Sequence, residues 1–259
     1  MKHTIIIGKD KGTIVFIHGN SSSSNVFKTV LQSKSINQTK ITIDLPGHGN
    51  NLENTKAHDF SVKSYSKSLI SILDKIDDDI LLVGNSFGGH LAIEISTSLK
   101  RLKGILIFGT PPIKKPINFQ EAFLPAPELQ TFFIENPLDS EIEQAANILV
   151  FNKENAVKIT TEFKKTDPKV RKAAATDLAN NSWSDQFQIF TNLNIPKFII
   201  AGKNDPIVNR QYLENVKNQC NGSCEILYFD DCGHYPSIEK PEEFTQAIKH
   251  IAHTVFNPE

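Results

Sequence analysis

The chain has 259 residues, 39% hydrophobic and 22% charged, enough for one large domain or for a core with an insertion. A formal net charge of −1 at pH 7 gives no reason to expect a nucleic acid or an anionic membrane as partner. No apolar run approaches the ~20 residues of a membrane span, and Met1-Lys2-His3-Thr4 before the short Ile5-Ile6-Ile7 does not open a signal peptide, so a cytoplasmic location is expected.

Taken in chain order, short apolar runs alternate with segments of helical periodicity. The spans 4–7 and 13–17 read as strands joined by a turn at Lys9-Asp10-Lys11-Gly12, and the second leads into His18-Gly19-Asn20-Ser21-Ser22. A helix is expected over 25–32, a strand over 40–43 running into Asp44-Leu45-Pro46-Gly47-His48-Gly49, and a helix over 61–75. The run 80–83 ends in Gly84-Asn85-Ser86-Phe87-Gly88, followed by a helix over 89–99. Strand, sharp turn and helix with a serine at the apex form a nucleophile elbow, which holds a hydroxyl clear of the sheet at the helix's positive end. Its glycines are required because strand and helix approach too closely for a Cβ between them. In this composition on the order of 0.05 chance matches to Gly-x-Ser-x-Gly are expected, before the flanking pattern is demanded. A further strand is expected over 104–108.

From Pro111 to Leu193 the alternation stops. Helical stretches over 140–151 and 169–180 and a concentration of aromatics, among them Phe119, Phe123, Phe132, Phe133 and Trp183, mark an inserted unit. Most of these rings are expected to pack the insertion on the core, and a few to line a pocket. Strands return at 197–201, before Gly202-Lys203-Asn204-Asp205-Pro206, and at 225–229, before Asp230-Asp231-Cys232-Gly233-His234. Helices are expected over 210–217 and 241–255. Continuous β-branched runs alternating with helices imply a mostly parallel α/β sheet covered on both faces. Ser86, Asp205 and His234 each follow the C-terminal end of a strand, the edge where open α/β sheets gather functional groups.

Together these segments resemble the serine α/β-hydrolase superfamily over nearly the whole chain. Val15-Phe16-Ile17-His18-Gly19-Asn20 resembles its oxyanion loop, Asp44-Leu45-Pro46-Gly47-His48-Gly49 its Asp-x-Pro-Gly-x-Gly loop, and Gly233-His234-Tyr235-Pro236 its histidine loop. Ser, then Asp, then His is its triad order. The resemblance implies an α/β-hydrolase fold with a core of residues 1–110 and 194–259 and a helical cap of residues 111–193 over the nucleophile. Members usually open with two antiparallel strands where this chain offers one, so a trimmed sheet of seven strands is expected. The loop after His18, the elbow and Gly109-Thr110-Pro111-Pro112 are similar to small bacterial carboxylesterases and acyl-homoserine lactonases of this fold.

The chemistry follows from residue type. A serine hydroxyl is a weak nucleophile at neutral pH and needs a base. His234 supplies one, and Asp205 would hold its tautomer and stabilise the imidazolium. The backbone N–H groups of Phe87 and of Asn20, or its neighbour Ser21, would bind the oxyanion. No metal or organic cofactor is required. Asp230 and Asp231 compete for the acid role by proximity to His234, but Asp205 holds the position that matches the family. His18 reads as a buried orienting group, Asp44 and His48 as supports of the Pro-Gly loop, and His90 as packing in the helix's first turn. His3, His58, His250 and His253 read as solvent-facing. Cys220, Cys224 and Cys232 are expected to be free thiols rather than zinc ligands. A serine at the elbow, where dehalogenases and epoxide hydrolases need a carboxylate, leaves hydrolysis of a small acyl ester, lactone or thioester, by a monomer or homodimer. Two alternatives stay open. One is a carbon–carbon bond hydrolase, for which Arg171 and Lys172 could grip a substrate carboxylate; the other is a non-catalytic small-molecule receptor, disfavoured by three intact triad candidates.

Overall fold

Seven strands form one sheet in the computed structural model, which describes residues 1–52 and 59–257; His58 lies outside them. They are β1 (Lys2–Ile6), β2 (Asp10–Ile17), β3 (Gln38–Asp44), β4 (Ile80–Asn85), β5 (Leu102–Phe108), β6 (Lys197–Gly202) and β7 (Cys224–Phe229). The spatial order is β1-β3-β2-β4-β5-β6-β7. β1 runs antiparallel to β3 and every other pairing is parallel, in keeping with the trimmed, mostly parallel sheet expected from the sequence. The anticipated turn at residues 9–12 is instead absorbed into β2 as a bulge. Asp10 pairs with Gln38 and Thr13 with Thr39, and Gly12 takes the φ of +97° that this irregularity needs.

Helices cover both faces. In chain order they are α1 (Lys28–Gln32), α2 (Val62–Leu73), α3 (Phe87–Ser96), α4 (Phe119–Ala122), α5 (Asp139–Ile148), α6 (Ala156–Lys164), α7 (Pro168–Ala179), α8 (Gln186–Asn192), α9 (Arg210–Asn218), α10 (Pro236–Glu239) and α11 (Pro241–Phe256). Side chains alternate along each central strand. Val15, Ile17, Leu82, Ile105 and Ile107 therefore join one core with α2, α3, α8 and α9, while Ile14, Phe16, Leu81, Val83 and Leu106 join a second with α1 and α11. Burial on both faces is why these runs carry no polar alternation. α3 lies deepest, with every residue but Glu94 buried. No helix among the described residues is long and apolar enough to cross a membrane.

The segment between β5 and β6 carries α4 to α8, with a 3₁₀ turn at Pro127–Phe133. Asp167 caps α7 by accepting from Lys169 N–H (3.0 Å), and Pro168 stands in its first turn. α6 had no clear sequence signal, because Val157, Ile159, Thr160 and Thr161 are β-branched and only moderate helix formers. Tertiary packing outweighs that preference. Ile159 and Phe163 enter a third cluster with Phe132, Ile142, Ala145, Leu149 and Tyr235.

Candidate active site

β4 and α3 meet at Ser86, whose backbone sits at φ 50°, ψ −119°, a conformation that costs a non-glycine residue energy and is held only by its surroundings. Those surroundings are visible. Ser86 N–H donates to Phe108 O (2.8 Å), and Thr110 Oγ1 donates to Ser86 O (2.9 Å). A Cβ on Gly84 would collide with Gly89 Cα, and one on Gly88 with the Ile17 carbonyl, so the close approach inferred from the glycines is real. Phe87 is the first residue of α3, where a backbone N–H has no intrahelical acceptor.

The loops after β6 and β7 converge beside this turn. Lys203 N–H donates to Phe229 O and Asn204 N–H to Cys232 O, both at 2.9 Å. Asp205 Oδ1 accepts from the backbone N–H groups of Ile207 (2.8 Å) and Val208 (3.2 Å), which aims Oδ2 at His234 Nδ1, 2.9 Å away. The His234 and Asp205 side chains are only 3% and 5% exposed. With the Nδ1 proton directed at the carboxylate, His234 Nε2 is left as an acceptor. Gly109, at φ +61°, leaves room for the imidazole, since a Cβ there would lie 2.6 Å from His234 Cε1. Asp230 instead pairs with Lys203 (2.6 Å), and both Asp230 and Asp231 are exposed.

Two buried histidines shape the loop after β2. His18 Nδ1 donates to Gly19 O (2.8 Å) and its Nε2 accepts from Leu45 N–H (3.0 Å). His48 repeats the pattern, donating to Pro46 O (3.1 Å) and accepting from Ser21 N–H (3.2 Å). Burial lowers the pKa of both rings, that of His48 well below the ordinary value, so each stays neutral in the tautomer its partners require. The amide of Ser21 is thereby engaged, which leaves Asn20 as the oxyanion candidate of this loop. The Asn20 side chain is fixed too, with Nδ2 donating to Phe132 O (2.7 Å). Asp44 steadies the Pro-Gly loop by accepting from the N–H groups of Ser24 (2.8 Å) and Asn50 (3.1 Å).

Ser86, His234, Asn20 and Phe87 border one cavity of about 310 Å³, walled from above by Phe119, Phe123, Phe132 and Phe133. No Asp, Glu, Lys or Arg lines it among the described residues. Arg171, considered above as a grip for a substrate carboxylate, faces elsewhere. Its Nε and Nη2 donate to the carbonyls of Ile134 (2.9 Å) and Glu135 (2.8 Å), and its guanidinium stacks on Phe163 at 4.2 Å. Lys172 pairs with Glu135 at the surface (3.8 Å). His90, by contrast, stands on the cavity wall, with Nδ1 2.7 Å from Gln186 Oε1 and its ring at 84° to that of Trp183. Its spacing of four residues from Ser86 on a helix was the available signal. Cys220, Cys224 and Cys232 are free thiols, and no cluster of metal-ligating side chains occurs among the described residues.

A model of the alpha/beta hydrolase family matches residues 14–247. A pimeloyl-[acyl-carrier protein] methyl ester esterase of Nitrosomonas europaea is 23% identical over 249 residues, covering 91% of this chain and 93% of its own. A 2-hydroxy-6-oxononadienedioate/2-hydroxy-6-oxononatrienedioate hydrolase of Paraburkholderia phymatum is 24% identical, over 93% of this chain and 87% of its own. Among solved structures, the N-acyl homoserine lactonase AidH complexed with N-butanoyl homoserine superimposes with a TM-score of 0.86 at 22% identity, covering 99% of this chain and 94% of that one. That likeness shows a shared fold.

Proposed function

Since the chain, matched over residues 14–247, belongs to the alpha/beta hydrolase family, we propose that it is a serine hydrolase that cleaves an ester or lactone of a small acyl substrate through an acyl-enzyme on Ser86. The observation that carries this reading is the buried Asp205–His234 hydrogen bond (2.9 Å) beside the cavity that the strained Ser86 also borders. As Ser86 Oγ attacks the carbonyl, His234 Nε2 takes its proton and then gives it to the leaving alkoxide. Asp205 holds the ring in place and stabilises the imidazolium. The backbone N–H groups of Phe87 and Asn20 receive the oxyanion, and losing one such donor costs ~10²–10³ in turnover. Water, deprotonated by His234, releases the acid and restores Ser86. Residues 111–193 act as a cap that shelters the acyl-enzyme, over a core of residues 1–110 and 194–259.

The uncharged wall supports a neutral acyl substrate, in line with the esterase and lactonase relatives. A second reading, carbon–carbon bond hydrolysis, is favoured by the dienedioate hydrolase relative. It requires a cation for the substrate carboxylate, and the guanidinium best placed by sequence is committed to Ile134 and Glu135. The test is hydrolysis of p-nitrophenyl esters, acetyl through decanoyl, and of N-acyl homoserine lactones, by the protein and its Ser86→Ala variant. Ser86→Ala is expected to lower kcat by ~10⁴ or more. Turnover that survives the substitution overturns the assignment, and turnover of a dienoate alone promotes the second reading.

A further inference from the structure

The helix that begins at the nucleophile carries a second polar group to the cavity. His90 N–H donates to Ser86 O (3.1 Å), so residues 86 and 90 are one turn apart on a shared face, with Cβ atoms about 5–6 Å apart. His90 is only 8% exposed, and its protonation is fixed by a relay. Glu94 accepts from Ser184 N–H (2.9 Å), Ser184 Oγ (2.7 Å) and Gln186 Nε2 (2.9 Å). A carboxylate only accepts, so Gln186 turns its NH₂ toward Glu94 and its carbonyl oxygen toward His90 Nδ1 (2.7 Å) and Ile113 N–H (3.4 Å). That oxygen also only accepts. His90 Nδ1 therefore carries the proton, and Nε2 keeps a lone pair.

Nε2 has no hydrogen-bond partner among the described residues, yet it is not a sealed, orphaned atom as Trp183 Nε1 is. His90 borders the cavity, so the ring and its unpartnered Nε2 are within reach of a ligand held there. Burial holds the ring's pKa at about 4, so it remains an acceptor at neutral pH. The relay of Ser184, Glu94, Gln186 and His90 thus holds the ring in one tautomer.

We propose that His90 Nε2 is a specificity-determining acceptor for an N–H on the carbon next to the scissile carbonyl, so that the preferred substrates are N-acylated amino-acid esters or lactones. An amide suits the position better than a hydroxyl. Its acyl chain continues past the hydrogen bond into the apolar space beside Phe119, Phe123 and Leu124, whereas a hydroxyl ends there. The inference rests on the ester- or lactone-hydrolase reading of Ser86.

The experiment compares N-hexanoylglycine methyl ester with methyl 4-oxononanoate, which differs only in having CH₂ for N–H. Both are titrated calorimetrically into the Ser86→Ala protein, so that binding is read without turnover. The amide is expected to bind ~10-fold tighter, the effect of one neutral hydrogen bond. The preference should vanish in Ser86→Ala/His90→Phe and shrink in Ser86→Ala/Gln186→Leu, which frees the tautomer, while affinity for the oxo ester stays unchanged in the latter. Equal binding, no binding of either ligand, or a preference that survives His90→Phe overturns the proposal. Hydrolysis of p-nitrophenyl butyrate by the unsubstituted protein is measured in parallel. Turnover without the preference removes this inference and leaves the hydrolase reading standing; the preference without turnover removes the hydrolase reading and, with it, the assignment of the bound N–H to a position beside a scissile carbonyl.

Discussion

At the scale of single residues, the site is a set of buried groups whose protonation is dictated by their partners. Asp205 is fixed through one oxygen by two backbone amides and offers the other to His234. Asp205→Asn keeps the shape and presents an NH₂ that forces the wrong imidazole tautomer, so kcat should fall by ~10³–10⁴ with little change in KM or Tm. A comparable fall in thermal stability would mark the carboxylate as structural. His18, His48 and His90 share another property, since burial lowers the pKa of each. The folded state then binds fewer protons than the unfolded chain below the ordinary value of 6.5, so stability is complete above pH 6.5 and falls as pH drops toward 4. His90 alone accounts for about 3 kcal/mol across that window. Urea midpoints measured from pH 7.5 to 4.5 should decline steeply below 6.5, and a flat profile would show that these rings titrate normally.

At the scale of elements, function depends on how closely strand ends and helix starts approach. The end of β5 is the case that bears on the imidazole, because Gly109 combines φ +61° with His234 Cε1 at 2.6 Å from where a Cβ would stand. Gly109→Ala should push His234 off Asp205 while leaving both cores untouched. A misplacement of about 1 Å costs on the order of 10² in rate, and the backbone strain on the order of 1 kcal/mol. Parallel measurement of kcat and Tm checks this; a large loss of Tm with unchanged kcat would mean that the sheet, not the imidazole, yields. Much of this level was legible beforehand. The elbow, the strand that carries Asp205 and the strand that carries His234 are local patterns of apolar run, glycine and polar residue. α6 was not legible, because its helicity comes from Ile159 and Phe163 meeting residues elsewhere in the chain.

At the scale of the molecule, polar ties join the proposed cap to the core along its length, among them Asp167 N–H to Gly47 O (2.8 Å), Val62 N–H to Asp177 Oδ2 (2.7 Å) and His234 N–H to Leu149 O (2.8 Å). Within the cap, Arg171 reaches from α7 to the carbonyls of Ile134 and Glu135, and across to the core, at 3.4 Å, to Ser21 Oγ beside the oxyanion candidate. Asn20 Nδ2 reaches the other way, to Phe132 O (2.7 Å). Arg171→Ala removes the donor from these part-exposed carbonyls, a loss on the order of 1 kcal/mol each. Hydrogen exchange over residues 127–180 should accelerate markedly while β4 and β5 keep their protection. Uniform acceleration across the chain would argue against a cap that opens on its own.

Periodicity and turn chemistry act over a few neighbouring residues, so the alternation of strands and helices, the covered parallel sheet and the three loops that bear Ser86, Asp205 and His234 are legible in local stretches of the chain. Contact between distant segments was left to the tertiary structure. It decided that Asp205 rather than Asp230 or Asp231 meets His234, that His48 engages the Ser21 amide and leaves Asn20 free for the role, and that Arg171 faces backbone carbonyls instead of a ligand. It also turned His90 from a packing residue into part of the cavity wall, through a glutamine 96 positions away. Hydrogen-bond partners and burial are properties of the closed chain, and no window of sequence contains them.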